Sequence, residues 1–189
     1  MILEGKNIVV RDWILEDLES YESWNSGHHL WMDYDGPYYP KMDKLELKYH
    51  INILKSSINN KRRSNPRKRL VIASKDSNQL IGTLSWYWQS KETNWKSIGI
   101  SLYDESQWGK SYGFEALSLW IDYLFKMDNE LVRLDLRTWS GNIGMIKLSK
   151  KLGFTEEARF RKARIVNGQY YDGIAMGILR EEWQNSTRK

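Results

Sequence analysis

The sequence predicts an α+β (mixed α/β) fold in which a central, mostly antiparallel sheet of about seven strands is flanked by helices. Three observations predict it. Short β-branched or alternating runs recur between residues 8 and 179, segments with apolar residues at helical spacing are interleaved with them, and the last two runs meet at Asn167-Gly168, a type I′ hairpin signal. The order read along the 189 residues is β-α-α-β-β-β-α-β-α-β-β, with no internal repeat, so residues 1–189 are expected to form a single domain.

The first strand is expected over Ile8 to Trp13, followed by a helix over Leu15 to Trp24, where Leu15, Leu18 and Tyr21 share a face. Residues 25–41 mix Gly27, Gly36, Pro37 and Pro40 with histidines and aromatics, the composition of an ordered loop. Leu47, Ile51, Leu54 and Ile58 recur at i, i+4, i+7 and i+11, which predicts an amphipathic helix over about 42–60. Leu70 to Ser74, Leu80 to Trp88 and Trp95 to Tyr103 follow as strands. Asp76-Ser77-Asn78 and the segment Ser90 to Asn94 supply the turns of an antiparallel meander. Leu117, Trp120, Ile121, Leu124 and Phe125 mark a helix ending near Met127, and Leu131 to Thr138 alternates as a strand should. Asn142 opens a last helix that Gly153 ends, and strands over about 155–166 and 169–179 close the chain.

Composition removes several classes of chemistry. There is no cysteine, which excludes disulfides, thiolate nucleophiles and cysteine zinc sites, and His28, His29 and His50 show no metal-motif spacing, so no metal is expected. No apolar run reaches the roughly 18 residues of a membrane span, and the opening residues lack a signal-like stretch, so the expected location is the cytoplasm. The net charge is +5, yet Lys61, Arg62, Arg63, Arg67, Lys68 and Arg69 supply six positive charges, so the rest of the chain is close to neutral. The plain reading of residues 61–69 is a solvated loop; the sharper one is contact with an acidic partner such as ribosomal RNA.

The informative stretch is Gln107-Trp108-Gly109-Lys110-Ser111-Tyr112-Gly113, between a strand and a long helix. Small residues let the backbone turn tightly, and a helix start presents unpaired N–H groups and a positive dipole end to an anion, for which phosphate is the natural ligand. The P-loop and dinucleotide-fingerprint spacings are both missing.

That segment, followed by helix, strand and then Asn142 to Lys150-Lys151-Leu152-Gly153-Phe154, resembles the Gcn5-related N-acetyltransferases (GNAT), especially the branch acetylating ribosomal-protein N-termini. Val166 to Asp172 and Leu179-Arg180-Glu181-Glu182-Trp183 are similar to that branch's ending. The resemblance implies a sheet splayed between the fourth and fifth predicted strands, and acetyl-CoA as co-substrate. It implies that the amides of Trp108, Gly109, Lys110, Ser111, Tyr112 and Gly113 cradle the pyrophosphate. Trp108 stands where the family motif has Gln or Arg, and Ser111 where it has Gly. The backbone of Ser101, Leu102 and Tyr103 would pair with pantetheine, Asn142 would contact coenzyme A, and Lys150 would lie near its phosphates. The plainer reading of Asn142 is a helix N-cap.

Many members place a tyrosine acid where Ser149 sits and some a glutamate base near Ser97; neither residue type is present. An α-amine of pKa about 7.8 costs only about 1 kcal/mol to neutralise at pH 7, against nearly 5 kcal/mol for a lysine, so a weak base or a water suffices for it. The N–H of Leu102 is the candidate to polarise the thioester carbonyl, and Ser149, Tyr103 or Tyr112 to assist the leaving thiolate. For the acceptor the candidates are His28, His29, Trp31, Asp33, Tyr34 and Asp35, the carboxylates to hold an amine and a histidine to take its proton.

The leading expectation is therefore an acetyl-CoA-dependent N-acetyltransferase acting on a protein N-terminal amine or a small-molecule amine by direct transfer in a ternary complex, as a monomer or homodimer. A polyamine ranks last among acceptors, because no dense acidic cluster is present. Two other readings stay open: a catalytically silent acyl-CoA sensor, and an RNA-associated protein using residues 61–69.

Overall fold

The computed structural model describes residues 2–61 and 63–186. Its elements are β1 (Ile2–Glu4), β2 (Ile8–Arg11), α1 (Asp17–Asn25), α2 (Lys44–Asn59), β3 (Arg69–Ser74), β4 (Leu80–Ser90), β5 (Trp95–Leu102), α3 (Tyr112–Met127), β6 (Arg133–Trp139), α4 (Ile143–Lys151), β7 (Thr155–Val166), β8 (Gln169–Leu179) and α5 (Arg180–Ser186). The expected order holds from β2 to β8, and the structure adds β1 before it and a short closing helix, α5, after it. The sheet has eight strands instead of about seven, because Ile2–Glu4 folds back on β2 through a turn closed by Gly5 N donating to Ile8 O at 2.9 Å.

Strand order is β1-β2-β3-β4-β5-β6-β8-β7, and every pair is antiparallel except β5 with β6. β3 is apolar from Leu70 to Ala73 because both its faces are covered there. Leu70 and Ile72 join the larger core under α3 and α4, with Leu117, Trp120, Ile121 and Leu124. Val71 and Ala73 join a second core under α1 and α2, with Leu18, Tyr21, Leu47 and Leu54. The β7–β8 hairpin turns on Asn167 and Gly168, with φ of 50° and 76°, both left-handed as a type I′ turn requires.

The parallel ladder sets up the site. It runs only from Trp95–Arg133 through Lys96–Leu134 to Ser97–Asp135, after which the strands part, as the resemblance implied for the fourth and fifth predicted strands. Beyond Ser97 the two strands enclose a cleft of about 1450 Å³. Among the described residues, no helix is long and apolar enough to cross a membrane.

Candidate active site

Backbone alternation on β5 decides what the cleft sees. Tyr103 N donates to Ile81 O at 2.9 Å, and the β4–β5 register is regular from Gly82–Leu102 to Trp88–Lys96. In an antiparallel pair alternate residues turn their N–H and C=O to one neighbour, so Ser101 and Tyr103 face β4 while Ile98, Ile100 and Leu102 face the cleft. Of the three residues expected to offer backbone groups there, Leu102 alone has that orientation. Its carbonyl accepts from Trp108 Nε1 at 3.1 Å.

The turn before α3 is built on two left-handed residues, Gly109 (φ 75°) and Ser111 (φ 66°). Ser111 thus adopts, as a serine, the conformation that glycine tolerates best. The first helical N–H with an intrahelical carbonyl is that of Glu115, bonded to Ser111 O at 3.0 Å, so the amides ahead of it lie at the open helix end. Gly113 packs against the neighbouring elements: a Cβ there would stand 3.1 Å from Leu148 Cδ2 and 3.4 Å from Leu102 Cδ1. This end of the cleft suits an anionic, extended ligand such as the phosphates and pantetheine arm of acetyl-CoA.

Of the residues expected to serve the cofactor, Ser101, Leu102, Trp108, Gly109, Ser111, Tyr112, Gly113 and Asn142 line the cleft, whereas Tyr103, Lys110 and Lys150 do not. Lys110 Nζ instead reaches Gln107 Oε1 at 3.3 Å. Lys147 and Lys151 line the cleft where Lys150 was expected. They are four residues apart, neighbours on one face of α4. Asn142 is the N-cap of α4, its Oδ1 accepting from Met145 N at 3.0 Å, and its Nδ2 also donates to Tyr34 O at 3.1 Å.

The candidate proton donors are placed differently from one another. Ser149 is fully buried and its hydroxyl donates to Ile146 O at 3.0 Å within its own helix. The Tyr103 hydroxyl lies 2.9 Å from Thr83 Oγ1 in the second core, and burial pushes its pKa far above the ordinary tyrosine value. Tyr112 lines the cleft.

The loop before α2 contains a 3-10 turn, Leu30–Asp33, and spans the mouth of the splay. Asp35 Oδ2 accepts from Ser101 Oγ on β5 at 2.6 Å, while Tyr34 O accepts from Trp139 Nε1 on β6 at 3.0 Å. The Tyr34 ring meets Trp108 edge-on at 5.4 Å. Trp31, Tyr34 and Asp35 line the cleft; His28, His29 and Asp33 do not. His28 Nε2 pairs with exposed Asp33 at 2.9 Å, and His29 Nε2 sits 3.0 Å from Ser23 O, so both histidines belong to the loop's own framework. The run 61–69 is also engaged in part: Arg63 and Arg67 each pair with Asp12 at 2.9 Å, and Arg69 NH1 is 2.7 Å from His50 Nε2. Arg62 lies outside the described residues. Among the described residues no cluster of three metal-ligating side chains occurs.

A strand pair that opens beside an amide-rich helix start agrees with the family match: residues 7–155 fit the model of the Acetyltransferase (GNAT) domain. The chain belongs to the GNAT family. GNAT proteins are acyltransferases that use acetyl-CoA. This GNAT chain is 22% identical over 180 residues to the SPbeta prophage-derived uncharacterized N-acetyltransferase YokL of Bacillus subtilis, covering 95% of this chain and 94% of that one. Among solved GNAT structures, it superposes on a ribosomal-protein-S5-alanine acetyltransferase from Vibrio fischeri with a TM-score of 0.74, at 22% identity, covering 97% and 98% of the two chains. A spermidine N-acetyltransferase from Vibrio cholerae, in complex with CoA and spermine, gives a TM-score of 0.75 at 19% identity, covering 96% and 100%. At these identities the two structures establish the fold.

Proposed function

We propose that this GNAT protein moves the acetyl group of acetyl-CoA to a primary amine, that of a protein N-terminus or of a small molecule, by direct attack in a ternary complex. The observation that carries this is the end of the β5–β6 ladder at Ser97–Asp135 next to the open amide end of α3. Acetyl-CoA supplies the activated thioester. The amides of Ser111, Tyr112 and Gly113 hold its pyrophosphate, with Lys147 and Lys151 balancing the charge from α4. Ile98, Ile100 and Leu102 offer unladdered backbone groups to the pantetheine arm. The cleft-facing N–H of Leu102 is the donor we assign to the carbonyl oxygen on which negative charge develops. Tyr112 is the hydroxyl of the three candidates able to meet the departing thiolate. Loop residues Trp31, Tyr34 and Asp35 close the acceptor side.

Calorimetric titration with acetyl-CoA tests the cofactor half, comparing wild type with Gly113→Trp and with the conservative pair Lys147→Gln/Lys151→Gln. Binding that is abolished in the first and weakened about tenfold in the second is expected. Release of free thiol on adding peptide or small-molecule amines tests the transfer. Ser149, turned into its helix and buried, favours a second reading, a binder of acyl-CoA without turnover. That reading predicts tight binding and no thiol release with any amine.

A further inference from the structure

We propose that the acceptor carries an anionic group close to its amine, and that Arg137 of β6 and Arg164 of β7 hold that group; the inference rests on the transferase reading above. Leu134 and Leu136 point into the core beneath α3, so Arg137, out of phase with them, projects from the other face of β6 and lines the cleft. Its Nε stands 3.3 Å from Oδ2 of Asp135, a carboxylate only 1% exposed, and among the described residues neither of its terminal nitrogens has a hydrogen-bond partner. A buried acid thus fixes the inner edge of the guanidinium while the outer fork stays open.

Arg164 reaches the same face from across the sheet. The β7 register shifts between Phe160 and Arg164, and the Arg164 guanidinium lies over the Tyr38 ring at 4.7 Å. Its Cζ would stand 3.8 Å from a Cβ on Gly173. NH1 donates to Ala163 O at 2.9 Å, and Nε is buried with no partner. Along β8 Arg137 stands opposite Ala175 and Arg164 opposite Tyr171, four residues apart on one face, with the Trp139 ring, opposite Gly173 and 4.9 Å from that of Tyr171, between them. Two planar guanidinium forks lining one cleft match a carboxylate or phosphate.

Charge elsewhere in the cleft points the same way. The carboxylates lining it, Asp35 and Asp43, are both engaged, Asp35 by Ser101 and Asp43 by the backbone N–H groups of Leu45 and Glu46. Those neutral donors do not cancel a carboxylate's charge, but Lys41, Lys44, Lys147, Lys151, Arg137 and Arg164 outnumber the two acids in the lining, so a polycation would meet a cationic excess there.

The test is calorimetric titration of the protein, with and without saturating coenzyme A, using two matched probe pairs and spermidine. Alanine against alaninamide reads a free amino-acid carboxylate; Asp-Ala-Ala-amide against Asn-Ala-Ala-amide reads an acidic peptide. The anionic member of at least one pair should bind tenfold or more tightly than its neutral partner, and Arg137→Gln/Arg164→Gln should erase that difference while changing the acetyl-CoA Kd less than twofold. Equal binding within both pairs, absence of binding by both anionic probes, or spermidine as the tightest ligand overturns the proposal. So does a double variant that weakens acetyl-CoA instead, which would assign the arginines to the cofactor. Failure of the transferase reading is seen separately, as absent acetyl-CoA binding or absent thiol release.

Discussion

Asp35 accepts a 2.6 Å hydrogen bond from Ser101 Oγ, and so ties the loop before α2 to the β5 arm of the splay. One residue earlier, the Tyr34 carbonyl is held from the other arm by Trp139 and Asn142. Two consecutive residues therefore bridge strands that share no ladder at that level. The loop's conformation and the width of the cleft are set by the same few bonds.

Asp35→Ala should release that bridge on one side. A hydrogen bond to a charged acceptor contributes about 1–2 kcal/mol when partly exposed. Faster amide hydrogen exchange over residues 30–38 is expected, with the acceptor KM rising several-fold more than that of acetyl-CoA. Unchanged exchange in the loop would show that Trp139 and Asn142 suffice to hold it.

Ser111 offers a second check, because its φ of 66° is costly for any residue with a Cβ. A left-handed conformation costs about 1–2 kcal/mol, most for β-branched side chains. Ser111→Gly should leave stability unchanged or raise it by up to about 1 kcal/mol and preserve acetyl-CoA binding. Ser111→Val should lose about 1–2 kcal/mol and weaken acetyl-CoA, as measured by urea unfolding and calorimetry. A valine variant as stable as the glycine one would refute the strained turn.

How far the site could be read from the sequence follows from which signals are local. The turn at Gly109 to Gly113 announces itself through glycines and its place between strand and helix, and the stripe Leu47, Ile51, Leu54 and Ile58 yields α2 to within two residues at each end. Asn142 satisfies both its readings, as cap and as cleft residue, because the cap side chain has a spare amide for Tyr34. What was not legible depends on partners distant in sequence. His28 and Asp33 compose a plausible acceptor pair on paper, but the chain turns them outward and leaves Trp31, Tyr34 and Asp35 facing in. Arg137 and Arg164 are ordinary strand arginines until the register of β8 brings them to one face. β1 has three residues, too few for any periodicity to declare itself.

His50 gives a pH dependence. Burial, reinforced by the Arg69 cation, holds its pKa below the usual histidine value, so the folded chain resists protonation there more than the unfolded chain does. Arg69 NH1, 2.7 Å from Nε2, and the Tyr21 ring, 6.0 Å away, are the groups that face it. The contribution to stability is thus complete above about pH 6.5 and is lost as pH falls from there through the lower folded-state value. The urea midpoint of wild type should fall between pH 7.5 and 5.5 more steeply than that of His50→Gln. Parallel profiles would remove His50 from the titration.

Lys96 is fully buried, an unusual place for an ammonium group, and the structure supplies three neighbours that explain it. Its Nζ lies 4.5 Å and 4.4 Å from the ring centroids of Trp86 and Trp88, and 2.5 Å from Asp128 Oδ2 at the end of α3. The tryptophans thus serve as core and as the walls around a cation. Removing the carboxylate strands the charge, whereas removing the charge leaves an apolar slot that an unbranched thioether can fill. Asp128→Ala should therefore cost about 3 kcal/mol and Lys96→Met less than half of that in urea unfolding at pH 7. In the double variant most of the Asp128→Ala loss should be recovered. A Lys96→Met variant as destabilised as Asp128→Ala would mean that the cation itself, through the two rings, stabilises the fold more than its carboxylate partner does.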